Sequence, residues 1–249
     1  MIFVNRSYLL IKTEVMKLQI WFDFQCPFCY IGETMLDRTI AGMELTSPVE
    51  IEYHAYQLDT HAPEMPHVTM LESFMKGHDL SEEAAEHQML KITRLAATEG
   101  LKYNLKGVQV CSSLDAHRLM KYAEQILSPG KLKKMSFAIF KANFEENLRI
   151  SDRNVLADIA VSVGLDRDEV MAMFATDRFV KEVMADQVAI DARKDFEFIP
   201  YILLDNGAVL QGVLRPDSLQ KALKTAMETG VVEVDDSPKE GCGPNGCSA

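Results

Sequence analysis

No apolar run in the chain approaches the ~18–20 residues that a membrane span requires. Positive charge is also in deficit: 26 Lys and Arg stand against 37 Asp and Glu, for a net charge of −11. That balance counts against nucleic acid and anionic membranes as partners, because both are polyanions. The opening residues, Met1 to Arg6, lack a long apolar stretch and a small-residue cleavage site, so a cytosolic protein is expected. There are no internal repeats. Cysteine is scarce, at 5 of 249 residues, too few for a disulfide framework. None is needed, since a chain of this length buries roughly 70–75% of its unfolded surface. With 47% apolar and 25% charged side chains, what remains is an ordinary globular chain.

Four of the five cysteines fall into two close pairs, Cys26-Pro27-Phe28-Cys29 and Cys242-Gly243-Pro244-Asn245-Gly246-Cys247, while Cys111 stands alone. Close pairs in a cytosolic protein point to catalysis, redox sensing or metal binding rather than to structural cross-links.

The surroundings of the first pair are informative. Leu18 to Phe24 has the alternation and aromatic content of a buried strand. It runs into Cys26-Pro27, and from Phe28 to about Ala41 apolar residues recur at helical spacing. Proline suits the first helical position, where its missing N–H would have had no partner. Val49 to Tyr56 alternates again, so the chain opens β-α-β with a parallel crossover. Helical segments then follow one another: Ser81 to Glu99, Ser113 to Leu127, Lys131 to Asn147, Ser151 to Gly164, Arg167 to Ala175 and Arg178 to Lys194. Ser81 and Ser151 read as caps, and Gly100, Gly130 and Gly164 as helix ends. Strand patterning returns at Ile199–Leu204 and Ala208–Leu210 around Asn206-Gly207, a hairpin signal, and Pro216 opens a last helix. The pattern describes an α/β thioredoxin fold with an inserted all-helical domain. Residues 17–62 and 186–230 form the first unit and 63–185 the insert, with an N-terminal extension (1–16) and a polar C-terminal tail (231–249).

Two cysteines three apart in the first turn of a helix can meet the Cα spacing of a disulfide, roughly 4.4–6.8 Å. Cys26, at the N-cap, faces unpaired N–H groups and the positive helix end, both of which favour thiolate. Cys29, one turn in, is better shielded and suited to resolve a mixed disulfide. Zinc knuckles also use this spacing, but a pair set between an apolar strand and a helix, with proline inside it, reads as redox. Far along the chain, Ile199-Pro200 matches the place where thioredoxin folds put a cis-proline opposite the dithiol. The preceding residue there can bond a substrate backbone by strand addition. Asp23, three residues before Cys26, is either a proton relay or a strand-end residue bonded to nearby backbone. His117 reads as a buried, hydrogen-bonded histidine and Cys111 as a small apolar residue. His54, His61, His67, His78 and His87 read as surface or packing residues. The tail pair Cys242 and Cys247 admits three readings: a mobile auxiliary redox centre, a zinc site uniting both pairs, or an inert surface pair.

Asp23 to Gly32, Ser113 to Arg118, Ile150-Ser151-Asp152 with Val155-Leu156, Ile199-Pro200-Tyr201 and Gln211-Gly212 together resemble the FrnE-like branch of the DsbA-type thiol oxidoreductases. The resemblance runs from about Lys17 to Met227. It implies dithiol–disulfide oxidoreductase or isomerase activity with Cys26 as nucleophile, Cys29 as resolving thiol and Pro200 as cis-proline. Pro27, Phe28 and Ile199 would contact substrate. The expected substrates are thiol or disulfide proteins, with glutathione open as substrate or reductant, and no organic cofactor or metal is required. Phe28 stands where tryptophan is usual, and Phe198 where glycine commonly precedes the proline pair, a change expected to narrow the substrate groove. Two rivals are a glutathione-dependent isomerase or transferase of the kappa-class or hydroxychromene-carboxylate type, whose members usually carry serine in place of Cys26, and a non-enzymatic zinc-binding module.

Overall fold

The computed structural model describes residues 15–44, 48–229, 240–244 and 246–248. Residues 1–14 of the expected extension (1–16) and residues 230–239 lie outside them, while Met16 already belongs to the first strand rather than to an extension. Strand β1 (Met16–Phe22) is the spine of a four-stranded sheet of order β2-β1-β3-β4. It pairs in parallel with β2 (Val49–Ala55), Ile20 facing Tyr53, and antiparallel with β3 (Tyr201–Leu204), Ile20 facing Ile202. Strand β4 (Val209–Gln211) closes the edge through the hairpin at Asn206-Gly207. Between β1 and β2 runs α1 (Pro27–Gly42), with Pro27 at its first position as expected. Seven helices separate β2 from β3: α2 (Met70–His78), α3 (Glu82–Thr98), α4 (Leu114–Glu124), α5 (Pro129–Phe144), α6 (Arg153–Ser162), α7 (Arg167–Phe174) and α8 (Val180–Asp191). The final helix, α9 (Pro216–Thr229), packs on α1. This is the thioredoxin fold with a helical insertion.

Local chemistry explains most helix boundaries. Ser81 caps α3 by accepting from the Ala84 N–H at 3.3 Å. Gly100 and Gly164 follow α3 and α6 with φ of 81° and 99°, values that an L side chain adopts only with strain. Two readings are corrected. Gly130 ends nothing: it is the second residue of α5, behind Pro129. Asp152 rather than Ser151 caps α6, accepting from the Asn154 N–H at 2.9 Å, while the Ser151 hydroxyl donates to the Glu64 carbonyl.

The core joins sheet and helices through aromatic rings. Phe22 and Phe24 meet edge to face at 5.0 Å, and both contact Phe140 of α5. Tyr30 of α1 stacks on Phe140 at 5.1 Å. Much of the Ser113–Arg118 motif is structural. Buried Asp115 pairs with Arg118 at 2.5 Å and with Arg153 at 2.7 Å, and Arg118 also donates to the Arg178 carbonyl, tying α4 to the α7–α8 link. A charged group can be buried here because every partner is supplied by the fold.

Candidate active site

The first cysteine pair is positioned by a turn between β1 and α1. The Cys26 N–H donates to the Asp23 carbonyl at 3.0 Å and the Cys29 N–H to the Cys26 carbonyl at 3.1 Å. Cys26 is the extended N-cap residue (φ −91°, ψ 111°) of a helix that opens on proline. Both are free thiols, and their sulfurs lie within hydrogen-bonding reach. Burial, then the hydrogen bond to Cys26 and that sulfur's charge, hold the Cys29 thiol well above its ordinary pKa. A thiol raised in this way keeps its proton at neutral pH, which suits Cys29 to the resolving role in thiol–disulfide exchange. Sequence reasoning expected Cys26 to be the open member. Here Cys26 is 0% and Cys29 1% exposed.

Ile199-Pro200 is the cis peptide bond, as expected. The Pro200 ring lies directly on α1: a Cβ placed on Gly32 would come within 2.7 Å of the Pro200 Cγ. Gly32 is thus the residue that lets the proline loop reach the helix of the dithiol. Gln211 holds that loop from the other side. Its Oε1 accepts from the Glu197 and Phe198 N–H groups at 2.8 and 3.1 Å, and its Nε2 donates to the Asp195 carbonyl at 2.7 Å. Pro27 lines a cavity beside the pair, while Phe28 is fully buried in the core cluster.

Asp23 is buried and tied to backbone, accepting from Gln25 N–H at 3.0 Å and Leu58 N–H at 2.7 Å. Such bonds hold a carboxylate in place whatever else it does. His117 Nε2, 3.7 Å from Asp23 Oδ1, has no hydrogen-bond partner among the described residues, so this nitrogen departs from the bonded histidine expected. His54 does pack as expected, stacked on Trp21 at 4.3 Å and bonded to Asp186.

The tail cysteines are joined as a disulfide across a small hairpin, β5 (Gly241–Gly243) and β6 (Gly246–Ser248). The hairpin is paired to the fold. The Ile199 N–H donates to the Cys242 carbonyl at 2.7 Å, the Cys242 N–H returns a bond to the Ile199 carbonyl at 3.2 Å, and the Val213 N–H donates to the Glu240 carbonyl at 2.7 Å. Tail disulfide and proline loop are therefore neighbours. Cys247 also lines the cavity of about 260 Å³ that Asp23, Gln25 and Pro27 share with Met70, Phe74 and Cys111.

Three residues at the site escaped sequence reasoning. Tyr103 donates its hydroxyl to the Pro27 carbonyl at 2.6 Å, and burial, then the charge of Cys26, holds its phenol well above the ordinary value. Gln25 reaches the Cys111 sulfur at 3.4 Å while its buried Oε1 has no partner among the described residues. Glu33, buried on α1 one turn beyond Cys29, accepts from Tyr53 and Ser136 hydroxyls at 2.8 Å each. Burial pushes its carboxyl up to about 7. The one available signal was a lone acid on the apolar face of a helix.

A dithiol opening a helix, with a proline loop against that helix in a thioredoxin fold, defines a thiol–disulfide oxidoreductase. A model of the DSBA-like thioredoxin domain matches residues 17–224, and the chain belongs to that family. A probable DsbA oxidoreductase from Streptomyces coelicolor superposes with a TM-score of 0.79 at 27% identity, covering 94% of this chain and 99% of the other. The cytosolic disulfide reductase DsbM from Pseudomonas aeruginosa, solved with glutathione, shares the fold at a TM-score of 0.58 and 20% identity, over 85% and 99% of the two chains. The uncharacterized protein YwbO of Bacillus subtilis is 24% identical over 151 residues, which span 60% of this chain and 66% of that relative's length.

Proposed function

We propose that the chain is a cytosolic dithiol–disulfide oxidoreductase and isomerase of the FrnE-like branch. Cys26 is its nucleophile, Cys29 its resolving thiol, and Pro200 the wall against which substrate lies. The observation that carries this reading is the Cys26–Cys29 pair in the opening turn of α1, with the cis Ile199-Pro200 loop packed against that same helix. Cys26 as thiolate attacks one sulfur of a substrate disulfide. The substrate S–S bond breaks as the Cys26–substrate bond forms, and the displaced sulfur leaves as a thiolate that takes up a proton. Cys29 then releases its proton and attacks Cys26, closing the Cys26–Cys29 disulfide and freeing the second substrate thiol. Two electrons pass to the substrate, and the steps run backwards when a reduced substrate meets the oxidised pair. Isomerisation is the same first attack reversed by a different substrate thiol, with no net electron transfer.

In this reading Cys242–Cys247 is an auxiliary pair that exchanges with Cys26–Cys29: attack by Cys26 breaks the tail bond, and Cys29 resolves the internal mixed disulfide. The placement of Cys247 on the cavity shared with Pro27 supports it. Asp23, whose charge acts on the Cys29 thiol, is the proton relay of this reading when Cys29 ionises. Glutathione is a candidate small reductant, since the related fold of DsbM was solved with it. The division of the chain into a thioredoxin unit (17–62 and 186–230) and a helical unit (63–185) belongs to the same proposal.

Cys26→Ser should abolish reduction of insulin disulfides and refolding of scrambled ribonuclease, with circular dichroism unchanged. Full activity in that variant refutes the assignment. A glutathione-dependent transferase, by contrast, would keep turning over after Cys29→Ser.

A further inference from the structure

The slot that a thioredoxin fold offers to a substrate backbone, the main chain of the residue before the proline, is already filled in this protein by its own tail. Both polar groups of Ile199 are spent on Cys242, at 2.7 and 3.2 Å. Tail strand β5 packs against α1, the helix that carries the dithiol, and Cys242 itself is fully buried. The fit is close and specific to glycine. A Cβ on Gly243 would fall 2.0 Å from the Glu197 carbonyl oxygen, and one on Gly241 would fall 2.9 Å from the Phe198 Cβ and 3.0 Å from the Ile199 oxygen. Phe198 thus helps form the seat of the tail strand. The two thiols at the start of α1 are sealed from solvent, at 0% and 1% exposure.

The geometry points to an intramolecular occupant: residues 240–243 lie in the peptide slot as the chain's own substrate strand, and an extended polypeptide reaches Cys26 only by displacing them. This rests on the oxidoreductase reading and names the regulation of that site. One departure of the hairpin frees the Ile199 edge and uncovers the thiols together. Strand addition explains why the competition is direct: an incoming peptide requires the same N–H and C=O of Ile199 that the tail holds. It also sorts substrates. Extended proteins must compete with the tail, whereas the tail's own disulfide is always docked and needs no competitor removed.

Gly243→Val tests this without altering a cysteine, because its side chain cannot share space with the Glu197 carbonyl. Loss of the backbone bonds should speed hydrogen exchange at the Ile199 amide by about tenfold or more. Alkylation of Cys26 by iodoacetamide, located by peptide mass spectrometry on the dithiol form, should accelerate similarly, and the KM for insulin should fall. Unchanged exchange and alkylation overturn the proposal. So does faster exchange with Cys26 still protected, since something else would then cover the sulfur. An open site with an unaltered KM for insulin overturns it as well. Should Gly243→Val not fold, the native protein serves: an excess of S-carboxymethylated insulin B chain should accelerate exchange at the Cys242 amide, and no acceleration refutes the competition. Exchange and alkylation need no turnover. An opened variant that reduces neither insulin nor small disulfides would refute the activity and leave the docked strand standing.

Discussion

Replacement of Glu33 by glutamine should stabilise the protein at pH 8 and destabilise it slightly at pH 4. Glu33 sits on α1, sealed from solvent, with its two oxygens accepting hydroxyls from Tyr53 and Ser136. Burial raises its carboxyl from 4.5 to about 7, more than the two hydrogen bonds lower it. Below pH 4.5 the carboxyl is protonated both folded and unfolded, so it adds no pH dependence. Between 4.5 and 7 the unfolded chain ionises it while the folded protein does not, and stability falls as pH rises. Above 7 the full penalty is present, about 3 kcal/mol from a shift of this size at 1.36 kcal/mol per pH unit. Glutamine removes the charge and keeps the shape, although one hydroxyl must turn to accept from its amide, which takes back about 1 kcal/mol. Urea unfolding followed by circular dichroism at pH 4, 6 and 8 should therefore show the variant about 1 kcal/mol below the native protein at pH 4 and about 2 kcal/mol above it at pH 8. A native-to-variant difference that stays constant with pH would show that the carboxylate is solvated or paired, and the reasoning from burial would fail.

Gly32→Ala should cost about 1–3 kcal/mol and lower insulin reduction, because the new Cβ meets the Pro200 ring inside contact distance and pushes the proline loop off α1; unchanged stability and kcat/KM would place that loop elsewhere. Asp186 accepts from His54, the Lys121 ammonium and the Ala55 N–H, at 2.8, 2.7 and 2.9 Å. Burial opposes its charge, but those three partners together hold its carboxyl below the usual range. Asp186→Ala should lose about 2–3 kcal/mol at neutral pH, and the loss should shrink on acidification as the native carboxylate protonates; denaturant titration at pH 7 and pH 3 measures it, and a loss independent of pH would contradict the pairing.

The strands around β1, the helix opening on Pro27 and the hairpin at Asn206-Gly207 were legible because each is written locally, in alternation or turn chemistry. Ile199-Pro200 could be placed opposite the dithiol from the order of those elements. Helix α2 was missed although Thr69 and Glu72 form a reciprocal cap. None of its side chains is fully buried, so its apolar spacing stands out little from the polar stretch around it. The docked tail was illegible for a different reason. Its bonds to Ile199 and Val213 are between backbones far apart in sequence, and backbone pairing leaves no side-chain pattern beyond the glycines that permit close approach. Cys26 is buried in the folded protein, so an expectation built on the helix end alone left the nucleophile too open.

The chain holds a single tryptophan, and its position gives that residue a use beyond packing. Trp21 lies on the central strand, parallel to the His54 ring, edge-on to Tyr201 at 5.7 Å, with its indole N–H donating to the Asp186 carbonyl of α8 at 3.2 Å. Its emission is thus a built-in optical probe of the seam where the helical layer grips the sheet, separate from the dithiol. Parting of that seam can be followed by light alone, with no label attached.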